Sequence, residues 1–233
     1  MLNGSYLERR GELEAYFDRT AVDAWKKLTS DAPVGRIRAT VRAGRDRMRD
    51  TLLAWLPEDL SGRRILDAGC GTGALAVAAA ARGAEVVAVD LSPTLVALAR
   101  ERASSSSGTD KLTFLAGDML DPAHGDFDHV VAMDSFIHYR TTDIVKMLER
   151  LAPRVSRSVL FTVAPRTPAL AMMHGVGRFF PKGNRAPGIV PVGAGRMQRL
   201  LDRSGDLAAW QRQRSQRIDS GFYISQAQEL VRQ

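Results

Sequence analysis

The chain has 233 residues, of which 45% are apolar and 25% are charged. This is enough for one α/β domain with a buried core. No apolar run reaches the roughly 18 residues that a membrane-spanning helix needs, and the N-terminal sequence MLNGSYLERR lacks the apolar stretch of a secretory signal. The single cysteine, Cys70, excludes an internal disulfide. We therefore expect a cytoplasmic protein.

The positive charge excludes little by itself. There are 33 basic and 26 acidic residues, a net charge of +7, and 28 of the basic residues are arginine. The sequence has none of the usual nucleic-acid-binding modules and no basic run interleaved with aromatic residues, so we expect no nucleic-acid partner. An anionic membrane surface and an acidic small substrate both remain open.

Residues 1–60 predict an N-terminal helical arm. Helices are expected at 6–17, around Trp25, and at 34–55. In the last of these, apolar residues recur at helical spacing at Val34, Ile37, Val41, Met48, Leu52 and Trp55.

A second ridge of this helix carries arginines. Arg38, Arg42, Arg45 and Arg49 follow a 4-3-4 spacing, which aligns them beside the apolar face. They form either a solvated surface or a ridge that binds an anion of the substrate or of a membrane.

Residues 61–164 alternate strand and helix, which is typical of a parallel sheet with helices on both faces. A break rich in proline and glycine at 165–193 predicts a mobile lid, and 194–233 predict a helix and a closing β-hairpin. The expected strands are 64–67, 85–90, 111–116, 129–133, 158–163, 207–219 and 221–230, and the expected helices are 72–82, 93–103, 142–152 and 195–204.

The strongest motif is Leu66-Asp67-Ala68-Gly69-Cys70-Gly71-Thr72-Gly73. Gly69 and Gly71 allow a ligand to approach the backbone closely, and the following helix presents unpaired N–H groups to an anion. Dinucleotide-binding proteins use the same geometry, so the glycines alone do not separate the two kinds of ligand.

Three carboxylates at strand ends narrow the choice. Asp67 lies where a ligand ammonium would bind, Asp90 can accept both hydroxyls of a ribose, and Asp118 can accept the amine of an adenine. S-adenosylmethionine carries all three groups, whereas NAD needs no acid for an ammonium.

Residues 62–163 and the closing hairpin resemble the class I S-adenosylmethionine methyltransferases. The resemblance implies a Rossmann-like, mostly parallel seven-stranded sheet with an antiparallel terminal hairpin. By the same resemblance, the cofactor would be bound by Gly69, Gly71, Asp90, Leu91, Asp118 and Met119. We also expect Asp67 and Asp134 to bind it.

The flanking motifs YFDRT (16–20), DAWKKL (23–28) and DSFIHY (134–139) resemble one family within this class, the magnesium-protoporphyrin IX methyltransferases. These enzymes methylate one propionate of a magnesium porphyrin in (bacterio)chlorophyll synthesis. The resemblance implies Tyr16 and His138 as catalytic residues. It also implies contacts with the porphyrin-binding subunit of magnesium chelatase and with pigment membranes.

The chemistry of such a substrate adds two expectations. A propionic acid has a pKa of about 4.3 and is ionised at neutral pH, so Tyr16 and His138 would orient the carboxylate rather than remove a proton. Magnesium would arrive inside the substrate, so no protein metal site is needed. The lid at 165–193 would form one wall of the porphyrin cleft through Arg166, Met173, Arg178 and Phe179.

Three alternatives remain open. The first is a class I methyltransferase for a quinol, a phenol or another small acceptor. The second is an NAD-dependent oxidoreductase, against which Asp67, Asp118 and the hairpin argue. The third is a carrier that binds S-adenosylmethionine or a tetrapyrrole without turnover.

Overall fold

The computed structural model describes residues 4–19, 35–106, 108–166 and 188–233. The segment predicted around Trp25 and most of the predicted lid lie outside these residues. Within them, no helix is long and apolar enough to cross a membrane.

The described residues form one seven-stranded sheet in the order β3-β2-β1-β4-β5-β7-β6. The first five strands run parallel to one another, and β7 runs antiparallel to both β5 and β6. The predicted fold class is therefore confirmed. The strands are β1 (Arg64–Ala68), β2 (Glu85–Asp90), β3 (Leu112–Ala116), β4 (Phe127–Ala132), β5 (Val155–Val163), β6 (Trp210–Ser220) and β7 (Tyr223–Arg232).

Six α-helices occur in the described part of the chain, and short 3₁₀ turns include Phe136–His138 and Gly205–Leu207. The α-helices are α1 (Gly4–Arg19), α2 (Arg36–Trp55), α3 (Ala74–Ala80), α4 (Pro93–Ala103), α5 (Thr141–Leu151) and α6 (Ala194–Asp202).

The predicted boundaries differ from these where local backbone geometry intervenes. Helix α3 begins after Gly73, whose φ of 81° lies outside the helical region. Strand β6 begins at Trp210 rather than 207 because the chain first makes the 3₁₀ turn Gly205–Leu207. Ser220 pairs with Tyr223, so the hairpin turn is 221–222 rather than 220–221.

Apolar side chains alternate between the two faces of the sheet and bury against different helices. Leu66 belongs to the core cluster that contains α5 residues such as Ile144. Ile65 belongs to the opposite cluster, with α2 residues such as Met48. This alternation follows from the two-residue period of a strand and makes a three-layer arrangement of helix, sheet and helix.

Helix α2 rests on the closing hairpin through a glycine. A Cβ on Gly44 would lie 2.5 Å from Cδ1 of Tyr223 in β7, so only glycine allows this approach. Met48 and Leu52 are fully buried further along the helix, but Ile37 is 56% exposed. The predicted apolar face is therefore wrong at Ile37, because the first turns of α2 extend beyond the strands.

We expect Gly44→Ala to destabilise the fold by about 1–3 kcal/mol, the usual range for overpacking a close contact. Urea unfolding measures the change. Gly11→Ala is the matched control, because Gly11 also lies in a helix and no described atom would come within 4 Å of its Cβ. Alanine favours a helix over glycine, so the control should be neutral or stabilising. Equal stability of Gly44→Ala and wild type would contradict the packing described here.

Candidate functional site

A cavity of about 360 Å³ opens at the carboxyl ends of β1, β2 and β4. Its floor is the glycine turn after β1, and its sides come from the ends of β2 and β4 and from helices α1 and α2. Ligands of open α/β sheets bind at this edge, where crossover connections diverge to opposite faces of the sheet.

The shape of the glycine turn depends on glycines at positions where no other residue type would fit. Gly69 has a φ of 86°, and a Cβ there would lie 2.5 Å from Cβ of Ser135. Gly71 also has a positive φ, of 54°. The N–H of Gly69 donates to the carbonyl of Val89 at 2.8 Å, which ties the turn to β2. Both glycines line the cavity, as their spacing predicts.

Asp90 holds the turn in place from the end of β2. Its carboxylate accepts the N–H of Gly71 at 2.8 Å and that of Ser92 at 3.0 Å. Burial raises the pKa of Asp90. Each carboxylate oxygen has a second lone pair, so Asp90 can bind ligand hydroxyls while it supports the backbone. Leu91 lines the cavity beside it.

Asp67 is a buried acid with an unused acceptor. It is 2% exposed and lines the cavity. Its Oδ2 has no hydrogen-bond partner among the described residues. Burial, with the nearby charge of Asp90 as a smaller cause, raises the pKa of Asp67 to about 7. A buried carboxylate of this kind is stabilised by a cation, so the site fits a ligand ammonium.

Asp118 has protein partners on both of its carboxylate oxygens. Its Oδ1 accepts the hydroxyl of Tyr6 at 2.7 Å and the N–H of Leu120 at 2.9 Å, and its Oδ2 accepts Nη1 of Arg10 at 2.8 Å. Asp118 therefore binds α1 to the end of β3. The neighbouring Met119 lines the cavity, whereas Asp118 is not among the described residues that do.

Asp134, two residues after the end of β4, connects that strand to α2, β5 and β7. It has a φ of 54°, which is unusual for a residue other than glycine. Its carboxylate accepts Nη1 of Arg45 in α2 at 2.7 Å and the hydroxyl of Tyr223 in β7 at 2.9 Å. Its N–H donates to Oγ1 of Thr162 in β5 at 2.8 Å. Asp134 lines the cavity, but protein groups already bind its carboxylate.

His138 reaches the cavity and Tyr16 does not, as far as the described residues define its lining. His138 lies in the 3₁₀ turn 136–138 and is 9% exposed. The ring of Phe17 packs edge-on against its ring, with centroids 5.7 Å apart. Tyr16 also packs against Phe17, and the centroids of these two rings are 5.2 Å apart. Phe17 therefore contacts both of the residues predicted to be catalytic.

The predicted substrate residues are only partly described. Met173, Arg178 and Phe179 lie outside the described residues. Arg166 is exposed and does not belong to the described cavity lining, and its N–H donates to the carbonyl of Val192 at 3.1 Å.

Three of the four arginines of the predicted ridge border the cavity, where the sequence left a solvated surface and an anion-binding ridge as alternatives. Arg42, Arg45 and Arg49 line it from α2, and Nη1 of Arg49 lies 2.9 Å from Oδ1 of Asp46. The fourth member of the ridge, Arg38, is exposed. The 4-3-4 spacing was the available signal, but it does not reveal which neighbour the ridge faces.

Comparisons with known proteins agree with this geometry. The family described as "Magnesium-protoporphyrin IX methyltransferase C-terminus" matches residues 132–232, and the general "Methyltransferase domain" matches residues 65–157. The first match contains the turn of His138 and the closing hairpin, and the second contains the glycine turn.

Relatives match over nearly the whole chain. Magnesium-protoporphyrin O-methyltransferase of Rhodobacter capsulatus is 46% identical over 225 residues, covering 96% of this chain and 97% of the relative. The Synechocystis protein of the same name is 28% identical and covers 99% of this chain and 100% of the relative. The crystal structure of magnesium protoporphyrin IX methyltransferase (ChlM) from Synechocystis PCC 6803 with bound SAH superposes with a TM-score of 0.83 at 28% identity, covering 96% of this chain and 100% of that one.

We expect Asp67→Asn to change how stability depends on pH. The pKa of Asp67 is about 7 in the folded protein and about 3.9 in an unfolded chain. Between these values the folded state keeps a proton that the unfolded state has lost, so this group lowers the free energy of unfolding as pH rises from about 4 to about 7. The variant should lose this decrease and should gain stability relative to wild type as pH rises.

Urea unfolding of the ligand-free protein at pH 5, 6, 7 and 8 measures this difference. The exposed Asp110→Asn is the charge-matched control and should follow wild type at each pH. Parallel stability curves for wild type and Asp67→Asn would show that Asp67 is ionised normally and that its burial is compensated by another group.

Proposed function

Because the chain belongs to the magnesium-protoporphyrin O-methyltransferase family, we propose that its cavity aligns the methyl group of S-adenosylmethionine with one propionate of the porphyrin. The protein is an S-adenosylmethionine-dependent O-methyltransferase that acts on magnesium-protoporphyrin in chlorophyll biosynthesis. The magnesium belongs to the substrate. The end-to-end match with the Rhodobacter capsulatus enzyme carries this conclusion.

The cofactor fits the acids and glycines of the cavity as follows. The unpartnered Oδ2 of Asp67 accepts the methionine ammonium, and Asp90 accepts the ribose hydroxyls through its remaining lone pairs. The backbone of Gly69 and Gly71 lies against the part of the cofactor that joins its ammonium group to its ribose. A cavity of about 360 Å³ lies within the usual size range of small-molecule sites.

The two ends of the cofactor need further partners. The methionine carboxylate needs a cation, and we assign it to Arg49, which borders the cavity from α2. The adenine lies between Leu91 and Met119. Its amine can reach only Oδ2 of Asp118, because Oδ1 already accepts two hydrogen bonds, from Tyr6 and Leu120.

The reaction requires alignment more than acid–base chemistry. When bound, the sulfonium of the cofactor supplies an electrophilic methyl group. An ionised propionate oxygen forms a bond to that carbon as the carbon–sulfur bond breaks, so an ester and a thioether result and no proton moves. Holding the reacting atoms at about 3–3.5 Å and excluding water provides the rate enhancement.

His138 orients the reacting carboxylate in this proposal. It follows β4, lines the cavity, and is nearly buried beside Phe17. A hydrogen bond from its imidazole would fix one carboxylate oxygen while the other attacks. Tyr16 would complete this wall from α1, where it packs on Phe17.

The insertion at 165–193 is proposed as the opposite wall of the porphyrin cleft. Its two described ends meet, because the N–H of Val192 donates to the carbonyl of Ala164 at 2.8 Å. The N–H of Val190 donates to the carbonyl of Ile137, also at 2.8 Å. The insertion therefore leaves and rejoins the fold next to the turn of His138, which is where a substrate wall must begin.

We further propose peripheral contact with an anionic membrane through one end of the molecule. Ile37 and Phe222 are 56% and 52% exposed. Both lie near the place where Gly221 packs against Thr40. Arg38 is exposed on the same part of α2. Apolar residues beside basic ones are typical of proteins that bind anionic lipid surfaces. The chelatase subunit would meet the same surface when it delivers the substrate.

The purified protein, S-adenosylmethionine and magnesium-protoporphyrin IX should together yield the porphyrin monomethyl ester, detected by chromatography. Calorimetry should show binding of S-adenosylhomocysteine and no binding of NAD. Cofactor binding without ester formation would instead indicate a carrier, and methylation of a quinol in preference to the porphyrin would indicate another acceptor.

We expect His138→Ala to lower kcat by about 100-fold, the scale of a misaligned reactant, and to leave the shape of the pH profile between pH 6 and 8 unchanged. His138→Gln should recover part of the activity, since an amide can still donate a hydrogen bond to the carboxylate. If His138 were a general base, wild-type kcat would fall at low pH, and His138→Ala would not show this fall. His138→Gln would then also fail to recover activity.

The membrane contact is tested by sedimentation with vesicles that contain phosphatidylglycerol. The double variant Ile37→Ser, Phe222→Ser should bind several-fold less than wild type. Leu7→Ser is the control, because Leu7 is similarly exposed, at 49%, but lies on α1. Equal sedimentation of all three proteins would show that this surface does not contact lipid.

A further inference from the structure

We propose that Arg42 of α2 binds the second carboxylate of the porphyrin, the propionate that is not methylated, and thereby limits the reaction to one methylation. This inference rests on the proposed function, because it concerns a diacid substrate in the same cavity. It assigns a separate carboxylate subsite to the helix whose arginines line that cavity.

The contacts of α2 define which of its ends is near the substrate. Near its C-terminus, the carbonyl of Leu53 accepts Nη1 of Arg82 at 2.7 Å, just before β2 begins, which is at the amino edge of the sheet. Near its N-terminus, Thr40 lies against Gly221 at the tip of the hairpin. That tip extends beyond the carboxyl end of β5, whose last residue, Val163, pairs with Gln226. Helix α2 therefore rises past the edge where ligands bind.

Arg45 marks the level of that edge along the helix. It donates to Asp134, which lies two residues after the end of β4. Because a helix rises by about 1.5 Å per residue, Arg42 lies about 4.5 Å further out, and Arg49 lies about 6 Å deeper. All three face the cavity, since they are spaced three and four residues apart. Of these three arginines, Arg42 is therefore the outermost.

The outer part of the cavity next to α2 is the acceptor side. The cofactor acids Asp67 and Asp90 belong to β1 and β2, whereas Asp134 and His138 follow β4, and it is Asp134 that contacts α2. An in-line displacement places the attacking oxygen on the far side of the methyl group from the sulfur. A porphyrin whose reacting carboxylate lies at His138 therefore extends outward along α2.

Charge makes a cation necessary there. In the part of the chain that the structure describes, four acids, Asp46, Asp67, Asp90 and Asp134, border the cavity and oppose the entry of an anion. The propionate that does not react keeps its charge throughout, and a carboxylate removed from water without a partner is strongly disfavoured. The guanidinium of Arg42 offers two parallel N–H donors, which match a carboxylate.

The same contact explains how a second methylation is avoided. For a second reaction, the monoester must rebind with its free carboxylate at His138 and its ester against Arg42. An ester has no charge and cannot replace the carboxylate in the contact with the guanidinium of Arg42. The monoester is therefore a much poorer substrate than the diacid.

The test compares Arg42→Gln with Arg36→Gln, which removes the same charge from an exposed position of the same helix. Two substrates are used: magnesium-protoporphyrin IX, and its mono-amide at the non-reacting propionate. We expect Arg42→Gln to raise KM for the diacid about tenfold and to leave KM for the mono-amide within twofold of wild type. The fraction of diester after prolonged reaction should rise. Arg36→Gln should behave as wild type.

Calorimetry with S-adenosylhomocysteine separates this proposal from its alternatives. Unchanged affinity in Arg42→Gln is expected. Weakened affinity would overturn the proposal by assigning Arg42 to the cofactor, and so would an equal rise in KM for diacid and mono-amide or no change in either. If wild type methylates neither porphyrin but still binds S-adenosylhomocysteine, the proposed function fails first.

Discussion

The packing of helix α2 and the closing hairpin at the cavity depends most on the hydrogen bonds of the Asp134 carboxylate. Asp134 lies at a left-handed backbone position, and it joins α2 through Arg45 and the closing hairpin through Tyr223. Burial, with the nearby charge of Asp134 as a smaller cause, raises the pKa of Tyr223, so its hydroxyl remains a proton donor. Because β4 ends two residues earlier and His138 follows four residues later, this one carboxylate sets the position of α2 relative to the substrate wall.

The acids that follow or end the parallel strands differ in the partners that they already have. Asp134 and Asp118 accept hydrogen bonds from side chains of distant elements, so they fasten α2 and α1 to the sheet. Asp67 has an oxygen that no described residue contacts by a hydrogen bond, and its pKa is raised. Among the described residues, Asp90 accepts only backbone N–H groups, and it keeps lone pairs for a ligand. Aspartates at or just after the ends of neighbouring strands therefore have different roles.

The local part of this organisation could be predicted from the sequence with little error. Strand β2 and helix α4 have the predicted boundaries, because an apolar strand and a helix that starts at Ser92-Pro93 are specified by neighbouring residues. The glycine turn was also predictable, since positive φ values at Gly69 and Gly71 require that residue type. The antiparallel hairpin was expected only through the family resemblance.

The partners of charged side chains could not be predicted in the same way. Asp118 meets Tyr6 across 112 positions of the chain, and Arg45 meets Asp134 across 89. Periodicity places residues on a helix face but does not say which surface that face meets. The sequence by itself therefore determined the elements, the glycine turn and the acids at the strand ends, because these depend on backbone preferences of adjacent residues. Only the tertiary structure decided that Asp118 holds α1, that Phe17 stands between Tyr16 and His138, and that the arginine ridge borders the cavity, because these depend on how helices dock on the sheet.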